Sequence, residues 1–231
     1  MPRSTDIRIE SVSFDYEDHR YRCPIKFGGV ALDRVTLLNA HVTVRTEAGQ
    51  TAIGFGSMPL GNIWSFPSRV LTYDDTLGAM KAVAEQVARI YSECREVGHP
   101  IDLFHALEEE FYHAAGVVTR ERKLAEPIPK LCTLVVASPF DAAVHDAFGK
   151  VHGLNCYHTY GPEFLAHEIG HYLGDEFRGL TLDRFVRTSP QPRMPLYHLI
   201  GALIRWTMAM SFTALTTAYR KRCPSGSAST G

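Results

Sequence analysis

The first third of the chain alternates. From Ile7 to Tyr16 the apolar side chains Ile7, Ile9, Val12, Phe14 and Tyr16 recur at every second position with one slip, the spacing of a half-buried strand. Between Val35 and Arg45 a β-branched run places Leu38, Ala40, Val42 and Val44 on one face. Glu47-Ala48-Gly49-Gln50 has turn chemistry and Thr51 to Phe55 returns, so the pattern predicts a three-stranded antiparallel meander. Pro59, Gly61, Asn62, Pro67 and Ser68 then break the chain into a loop that displays Trp64 and Phe66.

Beyond this loop the period becomes helical. Asp74 or Asp75 is expected to cap a helix that carries Leu77, Met80, Val83, Ala84, Val87 and Ile90 on one face and ends at Gly98-His99-Pro100. A second helix, Ile101 to Ala115, aligns Leu103, Leu107, Phe111 and Ala114, and its Glu108-Glu109-Glu110 run reads as a solvated face. In a third, Leu131 to Val151, the side chains of Val135, Phe140, Ala143, Ala147 and Val151 share a side despite Pro139, and Gly153 is a natural stop. Strands first and helices after predict an α+β fold with segregated layers: a meander followed by a helical bundle. Pro190, Pro192 and Pro195 place a boundary near residues 187–195, and Leu196 to Leu203 reads as a short buried strand. The expected division is therefore a domain over 1–187, a linker over 188–203 and a tail over 204–231.

With 231 residues, 45% of them apolar, the chain has enough material for a packed core. Basic and acidic residues nearly cancel at 24 and 25, which gives no electrostatic case for nucleic acid or an anionic membrane. The balance is uneven, however: no Asp or Glu follows Asp183, while Arg184, Arg187, Arg193, Arg205, Arg220, Lys221 and Arg222 do. Five scattered cysteines without a CxxC pair read as free thiols in a reducing compartment, and Met1 to Asp18 has no secretory pattern, so a cytoplasmic location is expected.

The stretch Ser138-Pro139-Phe140-Asp141-Ala142-Ala143-Val144-His145-Asp146-Ala147-Phe148-Gly149-Lys150-Val151-His152-Gly153-Leu154 has an Ala/Asp-rich turn, then Asp, then Gly-Lys, then Gly. It resembles the corresponding helix of the mandelate racemase/muconate lactonizing enzyme family of the enolase superfamily, in the amino-terminal domain that caps a TIM barrel. The meander is similar too, although Ser57 follows Gly54-Phe55-Gly56 where that family has Glu. The likeness covers about residues 7–203, and Pro195-Leu196-Tyr197-His198-Leu199-Ile200-Gly201 resembles the linker into the first barrel strand. It implies two loops that shape substrate preference, Cys23 to Gly29 and Ser57 to Pro67, with Lys26 and Trp64 as substrate contacts. The intact family performs Mg-assisted proton abstraction α to a carboxylate, as in racemisation, dehydration of acid sugars or cycloisomerisation. Its partners are small carboxylate or acid-sugar substrates. The magnesium ligands and acid/base residues lie on barrel strands, so no catalytic residue, metal ligand or cofactor transfers to these 231 residues. The expectation is a fragment with the barrel essentially absent, inactive alone and self-associating through its barrel-facing surface.

Two other readings compete. His167-Glu168-Ile169-Gly170-His171 matches HExxH, which on a helix puts two imidazoles on one face with a Glu to activate zinc-bound water, as in a zinc metalloprotease. A third ligand would have to come from Asp175, Glu176, Asp183 or His198. Leu199 to Tyr219, whose one charge is Arg205 and which Arg220-Lys221-Arg222 follows, has the length of a membrane anchor for an interaction domain. Its serines and threonines dilute the apolar run, so no membrane partner is expected. The tail over 204–231 also reads as frameshifted sequence. One base restored after the Leu203 codon permits an acidic reading beginning Asp-Pro-Leu-Asp-Asn-Gly, which continues the family linker.

Overall fold

The computed structural model describes residues 3–27 and 30–196, so the expected membrane anchor, frameshifted tail and His198 lie outside the described residues. Three strands, β1 (Ile7–Phe27), β2 (Val30–Thr46) and β3 (Thr51–Pro59), form one antiparallel sheet in the order β1-β2-β3. Helices α1 (Asn62–Ser65), α2 (Tyr73–Glu93), α3 (Pro100–Glu121), α4 (Lys130–Val151) and the short α5 (Ile169–Leu173) follow in chain order. The fold is α+β, as the alternation of periods predicts.

The slip in the first strand is a β-bulge: the register against β2 shifts between Ile9 and Ser11. This keeps Ile7 and Ile9 on the buried face and brings Val12, Phe14 and Tyr16 back to it. Leu38, Ala40, Val42 and Val44 on the central strand are fully buried, and Gly49 closes the β2–β3 turn with a φ of 86°. The rings of Tyr91, Phe111 and Phe140 join the helices, with Tyr91 centroids 5.4 Å from Phe111 and 6.0 Å from Phe140.

The sheet and α4 meet through glycine. A Cβ on Gly54 would collide with the carbonyl oxygen of Ala143, and one on Gly56 with that of Pro139, so the helix lies directly on the edge strand. Pro139 lacks the N–H that would bond the Val135 carbonyl, and Ser138 Oγ donates to that oxygen instead at 2.9 Å. The helix therefore continues through its proline. By length and composition α4 could cross a membrane, but most of it is buried in the core.

Several expectations need correction. The segment from Cys23, expected as a loop, is strand as far as Phe27, because Lys26 pairs with Ala31 and Phe27 with Val30. The register shift between Arg20 and Ile25 sets four residues of β1 against Asp33 alone, a bulge that Pro24 tolerates on an edge strand. Thr72, rather than either aspartate, caps α2: its hydroxyl accepts from Asp75 N–H while Asp75 accepts from Thr72 N–H. Helix α3 runs past Ala115 to Glu121, because burial of Val118 outweighs the weak propensity of Gly116 and its β-branched neighbours. Phe66, expected on display, is only 2% exposed. Helix α4 ends as expected, with Gly153 at φ 65° just beyond it.

Candidate functional site

The hairpin tip and the β3–α2 connection come together at one end of the sheet. Asn62, at the start of α1, is buried and donates to Tyr73 O and Thr76 Oγ1, both at 2.9 Å, which ties the connection to the first turn of α2. Arg34 on β2 reaches the same turn: its guanidinium pairs with Asp74 at 2.8 Å and lies 4.9 Å over the Tyr73 ring. Burial pushes the Tyr73 phenol up from its ordinary value, against the pull of Arg34. A cleft of about 470 Å³ lies between these parts, lined by Val30, Ile63, Phe66, Arg69, Tyr73 and Thr76 among others.

Both predicted contact residues belong to this end of the molecule, but neither lines the cleft. Lys26 is exposed on the hairpin near its turn. Trp64 is 40% exposed on α1, its indole packed against Gly61, where a Cβ would strike the ring. The residue missed is Arg69, the lining cation. Its signal was present: it is the one charged residue between Ser57 and Thr72. Among the described residues the lining contains no carboxylate and no imidazole, and Arg69 equips the cleft to hold an anionic group.

The HExxH residues are arranged otherwise than on a zinc-binding helix. His167 precedes α5, Glu168 is its N-cap residue, and only Ile169, Gly170 and His171 of the motif are helical. The two imidazoles stack face to face, with centroids 4.0 Å apart and planes 15° from parallel. His167 Nδ1 contacts Asp102 Oδ1 at 2.9 Å, and Glu168 accepts Gly179 N–H at 2.6 Å. The geometry does not support the metalloprotease reading. Among the described residues no group of three or more His, Cys, Asp and Glu side chains is placed to hold a metal ion, so they do not fit magnesium either.

A second set of ionisable groups lies where the first turn of α3 and the end of α4 meet the segment after α4. His99 is fully buried, and burial together with neighbouring His145 pushes its imidazole down to about 3. Burial also takes His145 down to about 4 and Asp141 up to about 7, with 3.7 Å between the two side chains. Tyr160 OH lies 3.3 Å from His145 Nδ1, and Tyr172 OH donates to Asp102 at 2.5 Å.

No protein-family model matches this chain, and no curated protein matches it. Solved structures do. An L-talarate dehydratase from Polaromonas, complexed with Mg and L-glucarate, is 20% identical with a TM-score of 0.39, covering 67% of this chain and 35% of its own. An enolase from Bradyrhizobium, complexed with magnesium and mandelic acid, is 18% identical with a TM-score of 0.38, covering 64% and 32%. A dipeptide epimerase from Enterococcus faecalis, complexed with Mg and a dipeptide, is 14% identical with a TM-score of 0.38, covering 67% and 34%. The chain spans about a third of the length of these structures.

Proposed function

We propose that this chain is the capping part of a mandelate racemase/muconate lactonizing enzyme type protein, and that its hairpin tip and β3–α2 connection face a small carboxylate or acid-sugar substrate. One observation carries the reading. The two sequence features behind the resemblance, Gly54-Phe55-Gly56 and the 138–154 helix, form a single interface in which small residues of one admit the backbone of the other. In this reading Lys26 and Trp64 contact the substrate, and Arg69 supplies a cation for its carboxylate. The Mg-assisted proton abstraction belongs to the intact protein, because the described residues offer neither a magnesium site nor an acid/base pair in the cleft.

The test is solvent-deuterium exchange into acid sugars and mandelate-like acids by the purified chain, with and without magnesium. No exchange above background is expected. Exchange that depends on magnesium would overturn the assignment of chemistry to residues elsewhere. In parallel, L-glucarate titration should perturb tryptophan fluorescence in the wild type but not in W64F, and K26A and R69A should each weaken binding about tenfold. Titrations that R69A and K26A leave unchanged would remove the substrate-facing role.

A further inference from the structure

Apart from Phe164, which packs edge-on against Phe148, the segment that follows α4 is held to the helical body by histidine, tyrosine and aspartate. Between Thr159 and Phe185 its helical pieces are no longer than five residues, and Thr159, Gly161 and Leu165 are its only buried residues. A stretch with so little apolar burial opens more readily than the core beneath it. Its attachments are specific. Arg3 donates to Pro162 O, Tyr160 meets His145, and His167 and Tyr172 converge on Asp102. Tyr172 and His171 also pack edge-on against His105, at 5.4 and 5.6 Å.

His99 sits under this seam in a protonation state that the fold dictates. Its Nδ1 accepts Ile101 N–H at 3.2 Å and so caps α3, which leaves the proton on Nε2. That Nε2 is buried without a hydrogen-bond partner. A second proton would turn the cap from acceptor to donor and set a cation at a helix N-terminus in a fully buried site against Phe148. The groups facing the ring are His145 from α4, His152 just beyond its end, Asp102 from α3, and Tyr160 with the Thr159 backbone from the segment. Asp102, the one carboxylate among them, is already engaged by Tyr172 and His167. It is also in the first turn of α3, so losing the cap loosens the residue that anchors the segment.

We propose that residues 159–185 form a latch on the helical body that acid opens, with His99 as the group whose protonation releases it. The signs of the other titrations leave this group in control. In the folded chain His145 is lowered and Asp141 raised from their ordinary values, so the pair holds about one proton whether buried or released through the weakly acidic range, and its net uptake is small. The Asp102 carboxyl is lowered: burial raises it, but the bonds from Tyr172 and His167 prevail, so its contribution is lost only at more acid pH. His99, lowered from 6.5 to about 3, leaves the docked state intact above about pH 6.5 and weakens it as pH falls.

Hydrogen exchange of the full chain, corrected for intrinsic rates, tests this. Between about pH 7.5 and about pH 5 the opening constant of 159–185 should rise about thirtyfold, while α2 and α4 keep their protection. The H99N variant, which retains a capping side chain but cannot titrate, should show little rise, and H113N, altered at an exposed histidine of α3, should behave as the wild type. A pH-independent opening constant, an undiminished rise in H99N, or loss of protection in α2 and α4 together with the segment would each overturn the proposal. Should H99N not fold, the wild-type slope decides: about tenfold per pH unit between about pH 6 and about pH 4 supports the latch, and a flat profile refutes it.

Discussion

The Asp146 carboxylate accepts the backbone N–H of Phe55 at 2.8 Å, and the same oxygen takes Lys150 Nζ at 2.7 Å. Lys150 in turn donates to Ile53 O at 3.1 Å. Two residues one helical turn apart thus occupy backbone groups on the edge of β3 that, among the described residues, has no neighbouring strand. The Asp and Lys of the sequence motif act as an edge guard. Replacing both by Ala should cost about 1 kcal/mol in urea denaturation, since the pair is partly exposed, and should promote self-association in sedimentation because the edge is freed. A variant as monomeric and as stable as the wild type would contradict this.

Gly54→Ala should be far more damaging than its single methyl suggests. The added Cβ meets the Ala143 carbonyl, a backbone atom that cannot rotate away, and a loss of about 3 kcal/mol is expected. Gly116→Ala is the contrast. It lies within α3, meets only the far end of the Arg120 side chain and should stabilise the protein by about 0.5–1 kcal/mol. Thermal melts of the two variants should move in opposite directions.

Thr72→Ala removes half of the reciprocal cap on α2 and should cost about 1 kcal/mol in urea denaturation. The Asp75 carboxyl is held low by its bonds from the Thr72 side chain and backbone, so its part of the cap is present at neutral pH and lost as acid protonates it. The gap between wild type and T72A should therefore narrow, without closing, as pH falls below about 4, because the Thr72 hydroxyl still accepts Asp75 N–H. Parallel profiles would show that the cap does not depend on the carboxylate.

Asp141 predicts the opposite slope. Its carboxyl is raised to about 7, so the folded state favours the protonated form, and its own contribution to stability falls as pH rises from the ordinary aspartate range through 7. Asp141→Asn should match the wild type near pH 4 and exceed it by about 2 kcal/mol near pH 8. Denaturation midpoints at the two pH values measure this, and an advantage confined to acid pH would invert the assignment.

The fold is legible in the sequence where one side chain reports one local fact. The slip between Ile9 and Val12 marked a bulge, the run from Leu38 to Val44 marked the buried face of the central strand, and Gly153 marked a helix end. The fold is not legible where a distant partner decides. Nothing local says that Gly54 and Gly56 are small because Ala143 and Pro139 press on them, or that Trp64 rests on Gly61. The HExxH spacing was legible, but the position of α5 within it was not, because Asp102, more than sixty positions earlier, takes up His167. Thr72 is hidden as a cap in the sequence because a cap is defined by where the helix begins, and two aspartates make a later start equally good.

The contact between Gly54 and Ala143 also sets the order in which the molecule can assemble. Strand β3 leaves the ribosome early, while its covering helix α4 comes after both α2 and α3. Until residue 147 or so is available, the sheet face under α4 is uncovered, with Ala40 and Val42 of the central strand and the bare backbone of Gly54 and Gly56 among its positions. Such long-range closure is slow. A chain halted in the loop before Lys130 would thus present a partly covered apolar sheet whose edge also lacks Asp146 and Lys150. Nascent chains of that length should be the ones that chaperones hold and that aggregate when chaperones are scarce.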